Sequence, residues 1–148
     1  TISEDNLEAA IERGLIGLPA KRKYCIESMT EDDTLVFYIS KKRAGYYDRN
    51  GSVCDFGPIA NITGPAFYGN ELIWKSRFGE MYPCRRNISL VLNKRVNARN
   101  IISKLTFIRN KQRWGLYFIQ STREITPKDY QTLFDAVARQ GHQGLSSI

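Results

Sequence analysis

The chain has 148 residues, 42% of them hydrophobic and 25% charged, which suits one globular domain and excludes a disordered or fibrous chain. Its 22 Lys and Arg residues outnumber its 15 Asp and Glu residues, and the net charge of +7 favours an anionic partner. The single histidine and the three cysteines without paired spacing argue against a metal site and a His-dependent triad. No apolar stretch reaches the roughly 20 residues of a membrane span, so we expect a cytoplasmic protein.

The first 28 residues predict two helices joined by a loop. Ser3 before two acids is typical of a helix N-terminus, and Gly14 of a helix end, so a helix is predicted over 4–13. Residues 14–19 predict a tight loop rich in glycine and proline. A short second helix with a basic start is predicted over 21–28.

The middle of the chain predicts strands separated by one long loop. Residues 34–40 are β-branched and aromatic, which predicts a buried, central strand. Residues 41–55 combine glycines, basic residues and paired tyrosines, which predicts an exposed loop or mobile hairpin, either a flap that orders on a ligand or a plain solubilising loop. Further strands are predicted over 58–64 and within 82–93.

The last third predicts a short helix over 98–105, a strand near 121–125 and a long terminal helix. Thr126-Pro127 followed by Asp129 is typical of a helix start, and Gly141 of its end. The side chains expected to face inward are Tyr130, Leu133, Phe134 and Val137. The order of elements lacks a βαβ rhythm and favours an α+β fold, a small mixed barrel with peripheral helices.

The sequence shows no phosphate-binding loop and no convincing pair of catalytic carboxylates. Instead, basic residues alternate with aromatic ones at 41–43, 74–78, 85–86 and 109–114, a pattern typical of proteins that hold phosphates while bases stack. Trp114, Tyr117 and Phe118 are expected in the core. Trp74 fits a pocket rim and a core position equally well.

Several short motifs, in order and spacing, resemble the PUA-like superfamily, and within it the EVE domain and the related YTH domain. Archaeal EVE proteins and the EVE-like N-terminal domains of restriction GTPases that target modified DNA are the members most similar to this sequence. The residues that carry the resemblance are Ser3 to Leu7, Leu15 to Pro19, Phe37 to Ser40, Gly57 to Ala60, Trp114-Gly115 and Arg123 to Ile125.

The resemblance implies a PUA-like domain over 1–141 with a tail or linker over 142–148, and a pocket for a flipped, modified base, most simply a methylated one. The implied pocket residues are Asn6 at the base edge, Ile16 and Trp74 as walls, Gly17 through its backbone and Phe78 as the floor. Related domains carry tryptophan at the position of Ile16, so three alternatives stay open: a weaker pocket, another ring such as Tyr38 or Tyr46 in its place, or a preference for a different base. The expected phosphate-binding residues are Lys41, Lys42, Arg43, Lys75, Arg77 and Arg123.

The family also begins with a strand before its first helix, of which Thr1 is expected to be at most the last residue. The expected partner is DNA or RNA with a modified base, and an attached or bound effector such as a restriction GTPase. One alternative is a PUA-like RNA-binding module without specificity for modified bases. The other is an ASCH-like hydrolase using Lys21, Thr63 and Glu80, although no motif spacing supports it and we expect a binding protein without catalytic residues or cofactor.

Overall fold

The computed structural model describes residues 1–45, 52–119 and 122–146, and seven strands within these ranges form one mixed sheet. The strands are β1 (Ile2–Ser3), β2 (Leu15–Leu18), β3 (Thr34–Lys41), β4 (Ser52–Ile62), β5 (Phe67–Tyr68), β6 (Cys84–Leu92) and β7 (Val96–Asn97). The α-helices are α1 (Glu4–Arg13), α2 (Lys23–Ser28) and α3 (Pro127–Ser146). Short 3-10 helices occupy Ala20–Arg22, Ala98–Asn100, Ile102–Lys104 and Trp114–Phe118.

The sheet runs in the order β1-β3-β4-β6-β2, with β5 added to β6 and β7 added to β4. Only the β1–β3 pairing is parallel among the described strands, and the others are antiparallel. The sheet is strongly curled into a half-barrel with the helices at its periphery, which confirms the predicted α+β fold. Within the described ranges, no helix is both long and apolar enough to cross a membrane.

The first helix has the predicted bounds, and Gly14 ends it with φ of 65° while its N–H donates to Ala10 and Ile11. Ser3 stands at the N-cap position, but its hydroxyl donates to Asp5 Oδ1 at 2.6 Å and does not cap the helix. The short strand β1 precedes the helix and pairs with β3, so more of this strand is present than Thr1 alone.

One prediction for the first half of the sheet was wrong. Residues 15–18 form strand β2 and not a loop, because hydrogen bonds to β6 pair Leu15 with Asn87 and Leu18 with Cys84. Strand β3 lies between β1 and β4 and is paired on both sides, which confirms the predicted buried, interior strand. At 41–55 the hairpin alternative holds, because β3 and β4 pair antiparallel with Lys41 opposite Ser52, while residues 46–51, and with them Tyr46, lie outside the described residues.

In the second half, two 3-10 turns replace the helix predicted over 98–105, and Asn97 caps the first turn by accepting the N–H of Arg99 at 2.9 Å. Residues 122–125 are not a strand. Helix α3 passes through Gly141, so this glycine does not end it. The division into domain and tail at residue 141 stays a prediction.

Two hydrophobic clusters hold the fold together. One lies between the sheet and α3, where Leu133 and Val137 are buried, and Tyr130 and Phe134 pack against it as expected. Trp114, Tyr117 and Phe118 also pack on this cluster, which agrees with the core position predicted for them. The other cluster lies under α1 and α2 and includes Leu7, Ile16, Ile26, Ile39 and Ile62.

Candidate functional site

Asp5, in the first turn of α1, fixes the basic segment that follows β3. Its carboxylate accepts the N–H of Ala44 at 3.1 Å and the N–H of Asn6 at 2.8 Å. The N–H of Asp5 in turn donates to the carbonyl of Lys42 at 3.1 Å. Residues 42–44 are therefore bound by their main chain to the start of the helix.

Asn6, the next residue, fixes a second basic segment in the same way. Its Nδ2 donates to the carbonyl of Lys75 at 2.8 Å, and its Oδ1 accepts the N–H of Lys75 at 2.8 Å. The side chain is buried and its amide is engaged with the main chain. The expected role of Asn6 at an open base edge therefore does not match this geometry, since the amide acts as a two-bond clamp on Lys75.

The two clamps bring together five of the six predicted phosphate-binding residues. The two segments also touch directly, because a Cβ placed on Gly45 would lie 3.2 Å from the backbone nitrogen of Arg77. We call this group the five-cation surface. Its members are Lys41, Lys42, Arg43, Lys75 and Arg77, all exposed.

Among the residues that the structure describes, no acidic side chain pairs with the cations of the five-cation surface. Phe78 lies beside it with 83% of its surface exposed, and the Arg77 guanidinium carbon is 5.4 Å from the centre of its ring. Phe78 is therefore an exposed ring among cations and does not form the floor of a pocket.

Trp74 is 4% exposed and so lies in the interior, not at a rim. Its indole packs on the backbone of β2 at Gly17, where a Cβ would come within 2.4 Å of the ring. Tyr82 meets the indole edge-on at 6.1 Å between ring centres, and the Arg85 guanidinium lies 5.3 Å from the indole centre. Burial raises the pKa of Tyr82. Only a glycine at position 17 permits this packing.

Ile16 and Tyr38, the remaining predicted pocket residues, line the same broad concavity as Asn6, Gly17 and Trp74 but pack in the two hydrophobic clusters. Ile16 is packed in the core cluster of α1, and because successive strand residues face opposite sides, it points away from Trp74, which packs on Gly17. Tyr38 belongs to the α3 cluster, where it stacks on Phe118 at 4.0 Å, and burial together with a bond to the Cys54 thiol raises the pKa of Tyr38. Neither residue faces Trp74 as the second wall of an aromatic cage.

Arg123 makes its ring contacts with residues outside the five-cation surface. Its guanidinium lies over the rings of Tyr117 and Phe107, at 5.3 and 5.8 Å from their centres. The structure therefore places Asn6, Gly17 and Trp74 beneath the five-cation surface with Phe78 beside it, and the concavity that these residues border is also lined by Ile16, Tyr38 and Arg123.

Arg85 and Arg86, which the sequence pattern grouped with possible phosphate ligands, are buried. Arg85 donates from Nε to the carbonyl of Tyr82 at 3.2 Å and from Nη2 to the carbonyls of Glu71 and Met81. These bonds hold the segment that carries Trp74. Arg86 binds main-chain carbonyls on the opposite side of the sheet, so neither arginine is free for a phosphate.

Asp5 and Asn6 organise the site through their clamps. Only one local feature of the sequence pointed to a structural role for either residue. An acid in the first turn of a helix favours the helix dipole, and nothing local distinguishes an acid that also binds a distant segment. No group of three or more His, Cys, Asp or Glu side chains suited to a metal occurs among the described residues.

The chain matches no protein-family model. It is 26% identical over 136 residues to a UPF0310 protein of Pyrococcus horikoshii, covering 88% of this chain and 91% of that protein. A UPF0310 protein of Pyrococcus abyssi is 27% identical over 135 residues, with 88% and 92% covered. The chain is a distant homologue of the UPF0310 proteins. A UPF0310 protein of Mycolicibacterium gilvum is 24% identical over 138 residues, with 93% and 92% covered, so the similarity extends over most of the chain.

Proposed function

We propose that this UPF0310 homologue is a nucleic-acid-binding module of the EVE type, which takes a modified, flipped base next to Trp74. The observation that carries the proposal is the five-cation surface, held on the start of α1 by Asp5 and Asn6. Main-chain clamps fix the two segments while leaving all five charged groups exposed. This arrangement suits a regular array of phosphates.

Electrostatics favour a polyanion at this surface. Each unpaired cation that contacts a phosphate releases a condensed counterion, and this release supplies a large share of nucleic-acid affinity. The exposed ring of Phe78 adds a stacking platform, and stacking of one base on an aromatic side chain contributes about 1–3 kcal/mol. Cations and an open aromatic ring on the same surface favour single-stranded or locally unpaired nucleic acid.

The base-recognition part of the proposal rests on what lies under this surface. Trp74 belongs to neither hydrophobic cluster and packs on Gly17, Tyr82 and Arg85, so a base bound next to it would contact this separate aromatic group and not the main core. Lys75, a member of the five-cation surface, follows Trp74 directly in the chain. An added methyl group on a base gains about 0.8 kcal/mol on burial against such apolar surface.

The first prediction concerns salt. If each cation of the five-cation surface contacts one phosphate, the slope of log affinity against log salt is about −3.5 to −4.5. The triple variant Lys42→Gln/Arg43→Gln/Arg77→Gln should reduce the slope to about −1.4 to −1.8. Fluorescence anisotropy with a labelled 5-nucleotide DNA and an RNA of equal sequence, at 50 to 200 mM salt, measures both.

The matched control is Lys94→Gln/Arg139→Gln, which removes exposed charge outside this surface and should leave the slope close to that of the unmodified chain. Equal slopes for the triple variant and the unmodified chain would contradict the proposal. The same titration with oligonucleotides that differ by one methylated base tests base recognition. A preference for the methylated strand supports the EVE-type pocket, and equal affinities favour a PUA-like RNA-binding module without this specificity.

A further inference from the structure

Residues 94–119 carry a basic face that the proposed binding surface does not include. This stretch contains seven Lys and Arg residues and no Asp or Glu, and removing these seven from the 22 leaves 15 basic and 15 acidic residues in the rest of the chain. All seven side chains are exposed, and the apolar residues between them pack in the α3 cluster. The basic residues are Lys94, Arg95, Arg99, Lys104, Arg109, Lys111 and Arg113.

Within this face, residues 106–113 form a loop that we call the arginine loop. Its first residues are held by Asp129 of α3, which is fully buried. The Asp129 carboxylate accepts the N–H and the hydroxyl of Thr106 at 2.8 and 2.7 Å, and the N–H of Phe107 at 3.0 Å. Burial raises the pKa of Asp129, but these bonds outweigh it and hold the pKa below its ordinary value, so the carboxylate stays charged near neutral pH.

The tip of the arginine loop is fixed as well. The hydroxyl of Tyr117 accepts the N–H groups of Arg109 and Asn110 at 3.0 and 3.2 Å, and these bonds lower the pKa of Tyr117. Asn110 Oδ1 accepts the N–H groups of Gln112 and Arg113, both at 3.2 Å. Every one of these bonds uses the main chain of the loop, so the guanidinium groups of Arg109 and Arg113 are left exposed.

We propose that the arginine loop is a second phosphate-binding surface, through Arg109 and Arg113, for the nucleic acid that the five-cation surface binds. The inference rests on the proposed function and extends its footprint along the strand. Arg109 and Arg113 have no ion pair with any carboxylate that the structure describes. Arginine presents a planar fork that matches phosphate oxygens, and a fixed loop loses little entropy on binding.

The two surfaces border the same depression. An open concavity of about 2400 Å³ is lined by Lys42, Arg43 and Arg77 of the five-cation surface. It is also lined by Phe107 of the arginine loop and by Tyr117, whose hydroxyl holds the loop tip, while Arg109 and Arg113 are not part of its lining. In the proposed complex, a strand in this concavity passes the base of the arginine loop and leaves the concavity beside the two arginines.

The test compares a 20-nucleotide strand with a 5-nucleotide strand of the same composition. Arg109→Gln/Arg113→Gln should weaken binding of the long strand several-fold, reduce its salt slope by about 1 to 2, and leave binding of the short strand unchanged. Arg109→Lys/Arg113→Lys, which keeps both charges, should restore most of the slope. Lys94→Gln/Arg139→Gln is the charge-matched control, and thermal melting verifies that each variant folds.

Three results decide against the inference. The second surface is overturned if Arg109→Gln/Arg113→Gln binds both strands as the unmodified chain does while the triple variant of the five-cation surface binds weakly. The proposed function is left intact by that result. Equal losses for the short and the long strand show that the loop is not a separate surface. Unchanged binding by the triple variant as well removes the proposed function, and the inference with it.

Discussion

Replacing Trp74 by alanine is expected to lower the free energy of unfolding by about 3–5 kcal/mol. The indole is 4% exposed, and its removal leaves a cavity bounded by the β2 backbone at Gly17, the ring of Tyr82 and the guanidinium of Arg85. The β2 backbone is fixed by its pairing with β6 and cannot move to fill this space. Chemical denaturation followed by circular dichroism measures the loss.

Phe78→Ala is the matched control, since Phe78 lies four residues further along the same segment and is 83% exposed. Its substitution should change the unfolding free energy by no more than about 0.5 kcal/mol. A Trp74→Ala variant with the stability of the unmodified chain and weakened oligonucleotide binding would show that Trp74 lies open at a pocket rim, contrary to the packing described above.

Replacing Arg86 by methionine is expected to have an effect of similar size, about 3–5 kcal/mol, because several buried acceptors lose their donors. The guanidinium is buried, and it donates to the carbonyl of Gly64 from Nε at 3.0 Å and from Nη2 at 2.8 Å. Its Nη1 donates to the carbonyl of Ile26 at 3.2 Å and to that of Met29. Methionine fills a similar volume but leaves three main-chain carbonyls without these donors.

Arg43→Met provides the control for Arg86→Met, because Arg43 is exposed and its head group makes no ion pair with a described residue. The two variants lose the same charge, so a difference in their thermal unfolding reports burial and hydrogen bonding. If both variants unfold at the same temperature, the bonds from Arg86 to the carbonyls of Ile26 and Met29 do not stabilise the packing of α2 on the sheet.

Those parts of the fold that depend on local signals were predictable. The bounds of α1 follow from two acids after Ser3 and from Gly14 in a left-handed conformation, and β3 from a run of β-branched and aromatic residues. Strand β2 was missed because its glycine and its flanking proline favour a loop locally, while its pairing with β6 comes from residues about 70 positions away. Tertiary pairing overrode local preference.

The candidate site was predictable in composition but not in arrangement. The charge pattern identified the members of the five-cation surface, but it also grouped Arg85 and Arg86 with them, and the burial of these two arginines depends on main-chain carbonyls distant in sequence. The clamps could not be predicted, because Asp5 binds a residue 39 positions away and Asn6 one 69 positions away. Whether Ile16 or Gly17 faces Trp74 depends on the register of β2, and a shift of one residue reverses it.

The central claim is that nucleic acid binds the surface that Asp5 and Asn6 assemble at the start of α1. Amide chemical-shift mapping of the labelled protein, titrated with a short oligonucleotide at low salt, tests this most directly. The largest shifts are predicted at residues 42–45 and 75–78, on both sides of the clamps. Shifts confined to the outer face of α3, or no shifts at saturating oligonucleotide, would contradict the claim.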